Sequence, residues 1–169
     1  MYDHFIQNGK IRVNSKPKIV KETDVSAVVD AHFGLGQLNG IYSMNIAIQK
    51  AQKHGIGIVT TRNSGHYGIA GYYANMAAEL GLMGMSSCNS RPAMLPTHAT
   101  KALVGTNPIS FAMPAKPHTF IFDAATTTVP QGKIEVYRKL EKDLPALWVA
   151  KNGEEPVYDH TDDTDFDHV

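Results

Sequence analysis

Cysteine is nearly absent from this sequence: Cys88 stands alone, so no internal disulfide can form, and the chain fits a reducing compartment. Net charge is absent too, with sixteen basic side chains balancing sixteen acidic ones. A protein whose main partner is nucleic acid usually carries a basic excess, so the balance argues against such a partner. No apolar run approaches the roughly 20 residues needed to cross a bilayer as a helix. The opening Met-Tyr-Asp-His-Phe lacks the charged-then-apolar layout of a secretory signal, and a cytoplasmic location is expected. Metal-ligand spacing is missing as well. His32, His54, His98, His160 and His168 form no H-x-x-x-H pair on a helix, and no metal is expected.

What is present is enough apolar matter for a core, 43% of 169 residues. That suits one domain, or one and part of another, at about 150 residues per domain. Residues 1–24 are polar, with Lys10, Arg12, Lys16, Lys18 and Lys21, and read as an extended lead-in segment. Val25–Val29 is a short β-rich run. Ile41, Met44, Ile48 and Ala51 recur at helical spacing up to His54, where Gly55 supplies a stop. Ile56–Thr60 is a second strand, and Ile69, Tyr72, Tyr73, Met76 and Leu80 mark a second helix. Strands follow at 82–87, 109–113 and 120–122. A third helix begins near Pro130 and carries Ile134, Tyr137 and Leu140. Trp148-Val-Ala before Asn152-Gly153 reads as half of a hairpin. Elements alternate at first and strands dominate the middle, which gives an α/β or α+β domain over 25–157. The tail, 158–169, is acidic and expected to be disordered.

Gly34, Gly36 and Gly40 imitate a dinucleotide fingerprint, but at G-x-G-x-x-x-G spacing. About twenty residues on, where an acidic ribose partner belongs, stands Thr60-Thr61-Arg62. Arg62 suits a 2′-phosphate; the plainer reading, a glycine-rich turn before a helix, is preferred. Asn63-Ser64-Gly65-His66-Tyr67-Gly68 is more suggestive. A histidine between glycines has little to pack on, and its ring exchanges protons near neutrality, so His66 is a candidate acid–base residue. The alternative is a loop histidine capping the helix that it precedes. Asp123-Ala-Ala-Thr126-Thr-Thr128 offers N–H and O–H groups suited to a phosphate or ribose, although ordinary N-capping by a threonine is the simpler account. Asn89-Ser90-Arg91-Pro92 and Gly105-Thr-Asn-Pro108 are polar turns, more often structural than catalytic. Arg91 and Arg62 have the chemistry for a carboxylate. Cys88 reads as a small buried hydrophobe.

Taken in order, these stretches resemble the malate/L-lactate dehydrogenase family that is unrelated to the Rossmann-type lactate and malate dehydrogenases. The resemblance rests on Gly34-Leu-Gly36-Gln, Gly55-Ile-Gly-Ile-Val, Asn63–Gly68 with Gly71-Tyr-Tyr73, Gly105–Pro108, Asp123–Thr126 with Gly132-Lys-Ile-Glu135, and Leu144–Trp148 with Asn152-Gly153. It implies a non-Rossmann mixed sheet with flanking helices and an NAD- or NADP-dependent oxidoreductase. Such an enzyme interconverts a small 2-hydroxy acid and its 2-keto acid, of malate or lactate type, as a homodimer. It further implies an acid–base role for His66, a place near the cofactor for Ser90, and a cofactor-binding loop at Asp123, Ala124 and Ala125. The resemblance further implies members roughly twice as long, with an N-terminal segment bearing a histidine and a substrate-binding arginine that is expected to be missing here. The expectation is a fragment with weak or no turnover. The alternative is a non-catalytic remnant serving as a binding or assembly module.

Overall fold

The computed structural model describes residues 2–96, 99, 101–145, 148–151 and 155–156. The expected Asn152-Gly153 turn, His98 and the acidic tail lie outside the described residues. The chain divides into two compact units, the first formed by residues 1–86 and 110–123, the second by 87–109 and 124–169.

In the first unit a three-stranded sheet is built around β2 (Ser26–Gly34). Ala27, Val29 and Ala31 are buried, so the period-two pattern of a strand puts one face inward. β1 (Lys18–Glu22) lies antiparallel on one side of β2, and β3 (Ile58–Ser64) parallel on the other. A parallel neighbour needs a long crossover, which the helix α2 (Gly36–His54) provides. Gly55 ends that helix in the left-handed conformation, φ 86°, its N–H bonded back to Ala51 O at 2.8 Å.

Three findings differ from the sequence reading. The lead-in contains a short helix, α1 (Tyr2–Gln7), held in part by an i,i+4 hydrogen bond from Gln7 to Asp3. β2 runs to Gly34 rather than ending at Val29, and α2 starts at Gly36 rather than Ile41. The buried residues of α2 are Gly36, Asn39, Ser43 and Ile48, so only Ile48 of the expected apolar stripe is fully buried. The face is polar because β3 meets it with hydroxyls. Ser43 bonds Thr61 at 2.7 Å, and Asn39 donates to Ser64 at 3.3 Å.

The same unit carries α3 (Ala70–Ala78) and most of a second sheet of order β4 (Gly84–Ser87), β5 (Ile109–Met113), β6 (Phe120–Ala124). Ala74, Ala78 and Ala112 form its tight small-residue core. On the edge strand β6, Phe120, Ile121 and Phe122 are all exposed.

The second unit is built on a cluster of Val129, Ile134, Leu144 and Val149, with Tyr137 and Trp148 packed against it. Its helix α4 (Gln131–Lys139) supplies Ile134 and Tyr137; Leu140, the C-cap, is exposed. A short antiparallel pair, β7 (Ala150–Lys151) and β8 (Glu155–Pro156), closes the described chain.

Candidate active site

His66 lies on the loop between β3 and α3, and its side chain is exposed. It does not cap α3: the N-cap is Ile69, with no side-chain cap hydrogen bond. Its Nδ1 lies 2.6 Å from the Tyr2 hydroxyl and 3.3 Å from the backbone N of Gly68. Among the described residues nothing bonds to Nε2.

The backbone that carries His66 is fixed from behind. A Cβ on Gly36 would fall 2.2 Å from Gly65 O and 2.3 Å from His66 O, inside any tolerable contact. Only glycine lets the first turn of α2 approach the histidine loop this closely. The glycines that imitate a dinucleotide fingerprint are therefore explained by packing, since Gly40 likewise faces the ring of Tyr73.

A second support is Asp30, whose side chain is only 8% exposed. It accepts hydrogen bonds from His32 N at 2.9 Å, Asn63 Nδ2 at 3.1 Å and Arg62 Nε at 2.9 Å. Arg62 is thereby engaged with a carboxylate of its own chain. Asn63, in the left-handed region at φ 53°, is tied down three residues before His66. The backbone N–H of His32, then the Asn63 amide and the Arg62 guanidinium, hold the Asp30 carboxyl below its ordinary value, outweighing the opposing effect of burial. A depressed folded pKa means that this carboxylate contributes stability above the unfolded value, and the contribution is lost as pH falls through the folded one. We expect this contribution to urea stability to hold from neutral pH down to near the unfolded value of about 4 and to be lost progressively below it. Asp30→Asn is expected to be less stable at neutral pH and to have a flatter acid limb; an unchanged limb contradicts the assignment.

Aromatic rings flank the loop. Tyr67 stacks on Tyr73 with centroids 4.9 Å apart, and the Tyr73 hydroxyl donates to Tyr67 O. Burial, with lesser contributions from Tyr72 and Tyr2, pushes the Tyr73 phenol up to about 12, so it keeps the proton it donates.

Asp123, at the end of β6, is exposed, and its Oδ2 accepts from Gly71 N at 2.7 Å. It is thus tied to the first turn of α3, the helix that the His66 loop enters. Ser90, Ala124 and Ala125 belong to the second unit and are half-buried. There, three polar stretches distinguished in the sequence are drawn into one knot. Ser90 Oγ accepts from Thr106 N at 2.9 Å, Ser90 N donates to Asn107 Oδ1 at 2.9 Å, and Thr126 N donates to Thr106 O at 2.9 Å. A Cβ on Gly105 would lie 2.2 Å from Ser90 Oγ, which accounts for glycine there. The threonines do not cap α4, whose N-cap is Pro130; Thr127 Oγ1 donates to Val129 O instead. Cys88 is half-buried rather than buried. Tyr2 and Asp30 contact the segment that carries His66, and Gln37 reaches it through Tyr2; the sequence marks none of the three for this. Tyr2 and Gln37 sit 64 and 35 residues from their partners, with no local pattern to mark them.

An exposed imidazole with one nitrogen engaged and the other open, on a loop braced by a helix start, is equipment for handling a proton at a bound ligand. The model of the malate/L-lactate dehydrogenase family matches residues 1–162, and the chain belongs to that family. It is 50% identical over 143 residues to a malate dehydrogenase of Pyrococcus horikoshii, covering 85% of this chain and 40% of that protein. It is 42% identical over 144 residues to the L-sulfolactate dehydrogenase of Methanocaldococcus jannaschii, covering 83% and 42%. The structure is similar to that of a malate dehydrogenase from Entamoeba histolytica, at a TM-score of 0.90 and 37% identity, over 94% of this chain and 44% of that one. The chain thus spans about two-fifths of the length of the relatives it matches.

Proposed function

We propose that the chain carries part of the active site of a nicotinamide-dependent 2-hydroxyacid dehydrogenase acting on malate- or lactate-type substrates. His66 handles the proton at the substrate C2 oxygen, and Ser90, Asp123, Ala124 and Ala125 contact NAD or NADP. The observation that carries this reading is the open Nε2 of an exposed His66, in a chain whose family is one of dehydrogenases.

The residues present suit the cofactor chemically. Ala124 and Ala125 are small enough for a flat ring or ribose to reach the backbone. Thr126 and Thr128 are exposed beside them, with Thr126 Oγ1 donating to Thr106 O and keeping a lone pair to accept with, and the exposed Asp123 carboxylate is an acceptor for sugar hydroxyls. When bound, the nicotinamide supplies or accepts the hydride. The protein's own part is to aim His66 at the oxygen whose charge changes and to hold the substrate there.

The test titrates the chain with NADH and NADPH by nicotinamide fluorescence, then follows nicotinamide absorbance with oxaloacetate and pyruvate. Binding of one reduced cofactor is expected, with turnover well below that of a full-length relative. His66→Asn is expected to bind cofactor like the parent and to lose the residual turnover, because general acid–base catalysis contributes about 10²–10⁴-fold. Absence of binding by either cofactor, or full turnover in His66→Asn, contradicts the proposal.

A further inference from the structure

Beside His66 lie two residues with no part in the proposed chemistry, Gln37 and Tyr2, which join it in a three-member chain. Gln37 Nε2 donates to the Tyr2 hydroxyl at 2.6 Å, and that hydroxyl lies 2.6 Å from His66 Nδ1. The two rings sit 5.8 Å apart, tilted by 58°. The backbone N–H of Gly68 approaches the same Nδ1 at 3.3 Å.

The direction of each bond follows from what each group can do. A backbone N–H only donates, so Nδ1 meets Gly68 with a lone pair. A phenol oxygen that already accepts from an amide has its own proton free to give, and its neighbour is again Nδ1. Both partners ask the same of that nitrogen, and in a neutral imidazole the proton then sits on Nε2. Turning the Gln37 amide over would reverse the two side-chain bonds and protonate Nδ1. That arrangement sets Nδ1–H against the Gly68 N–H, which has no second orientation. The imidazolium meets the same opposition.

We infer that Tyr2, held by Gln37, is a positioning residue that keeps His66 in its Nε2–H form. The inference rests on the reading of His66 as the proton-handling residue and sharpens it. The nitrogen that nothing else bonds presents a donor, suited to the C2 oxygen of a 2-keto acid. Taking a proton from a 2-hydroxy acid requires a lone pair at Nε2. For that the ring proton must move to Nδ1, Tyr2 must accept from it, and Gln37 must turn its oxygen to the Tyr2 proton. That exchange leaves every group neutral, but it reverses two hydrogen bonds and loses the Gly68 contact; taking the substrate proton then makes the ring an imidazolium, and reduction runs back through the same states. The resting neutral ring thus offers the C2 oxygen a hydrogen bond without giving up its proton, and net transfer in either direction requires Tyr2 to accept from Nδ1.

The tautomer is read without substrate or cofactor, from two-bond ¹H–¹⁵N correlations of the uniformly labelled chain at about pH 8, where free imidazole is neutral. His66 is assigned by the signal lost in His66→Asn. In the parent, Nδ1 is expected to resonate as a pyridine-like and Nε2 as a pyrrole-like nitrogen. Tyr2→Phe removes one of the two donors and keeps the ring; the Gly68 N–H alone then holds Nδ1, and a partial loss of the Nε2–H preference is expected. Gln37→Glu supplies a carboxylate that can only accept from Tyr2, turning the phenol into an acceptor and shifting His66 toward Nδ1–H. A structural prop alone would not reverse a tautomer. A pyrrole-like Nδ1 in the parent overturns the inference by itself, and so does an Nε2–H form that persists in Gln37→Glu. Because nicotinamide plays no part in this measurement, failure of cofactor binding leaves the tautomer result standing, and the reverse holds as well.

Discussion

Gly36→Ala is expected to lower the stability of the chain by about 2 kcal/mol, although alanine is the better helix former by about 1 kcal/mol. The reason is what the new methyl would meet: the carbonyl oxygens of Gly65 and His66, at 2.2 and 2.3 Å. Backbone atoms cannot rotate aside as a side chain would, so the α2 start and the histidine loop must separate. Overpacking of this kind costs about 1–3 kcal/mol, occasionally more, and the upper part of that range applies where both sides are main chain. Urea unfolding followed by circular dichroism reads the loss, and the His66 imidazole signals should move with it. Gly132→Ala is the control. It lies in the first turn of α4 with nothing within 4 Å of its would-be methyl, so it should be neutral or stabilising by up to about 1 kcal/mol. Equal behaviour of the two variants would remove the packing explanation for Gly36.

Truncating Ile134 should cost more. The second unit's cluster has four buried apolar residues, and Ile134, 3% exposed, is the one that α4 contributes. Ile→Ala in a packed core costs about 2–5 kcal/mol through lost burial and the cavity left behind. With so few neighbours to collapse into the space, about 3 kcal/mol is expected. The single tryptophan of the sequence, Trp148, packs on this cluster, 5.1 Å from Tyr137. Its fluorescence therefore follows this unit, and the midpoint of its urea transition should shift accordingly. A midpoint like the parent's would mean that the cluster contributes little.

The succession of β2, α2, β3 and α3 is legible in the sequence, because buried strands and glycine stops are local signals. The boundary between β2 and α2 is not. Asp30-Ala-His-Phe-Gly34 lacks the β-branched residues of a strand, and although histidine visits positive φ more often than most residues, a phenylalanine does not announce it. Yet His32 and Phe33 have φ of 47° and 62°. The contact that pins them, the Asp30 clasp on Arg62 and Asn63, crosses more than 30 residues. The inward face of α2 misled for another reason. Asn39 and Ser43 look solvent-facing until β3 supplies their hydrogen-bond partners. Glycines around a lone histidine marked the His66 loop, whereas its supports Tyr2 and Gln37 come together only through the tertiary fold. The threonines after Asp123 carry the composition of a helix cap but bond to loop carbonyls, since α4 starts after Pro130.

Between Asp30 and Gly34 the second strand advances four residues while its parallel neighbour, from Arg62 to Ser64, advances two. Ala31, His32 and Phe33 thus stand opposite Asn63 alone, and two of the three have positive φ. The inward-outward alternation breaks there, since Ala27, Val29 and Ala31 are buried, Phe33 is exposed and Gly34 is buried again. The bend therefore re-aims the end of the strand, and with it the first turn of the helix that backs the histidine loop; a change of chain length at 31–33 would be felt at that loop before it was felt anywhere in the sheet.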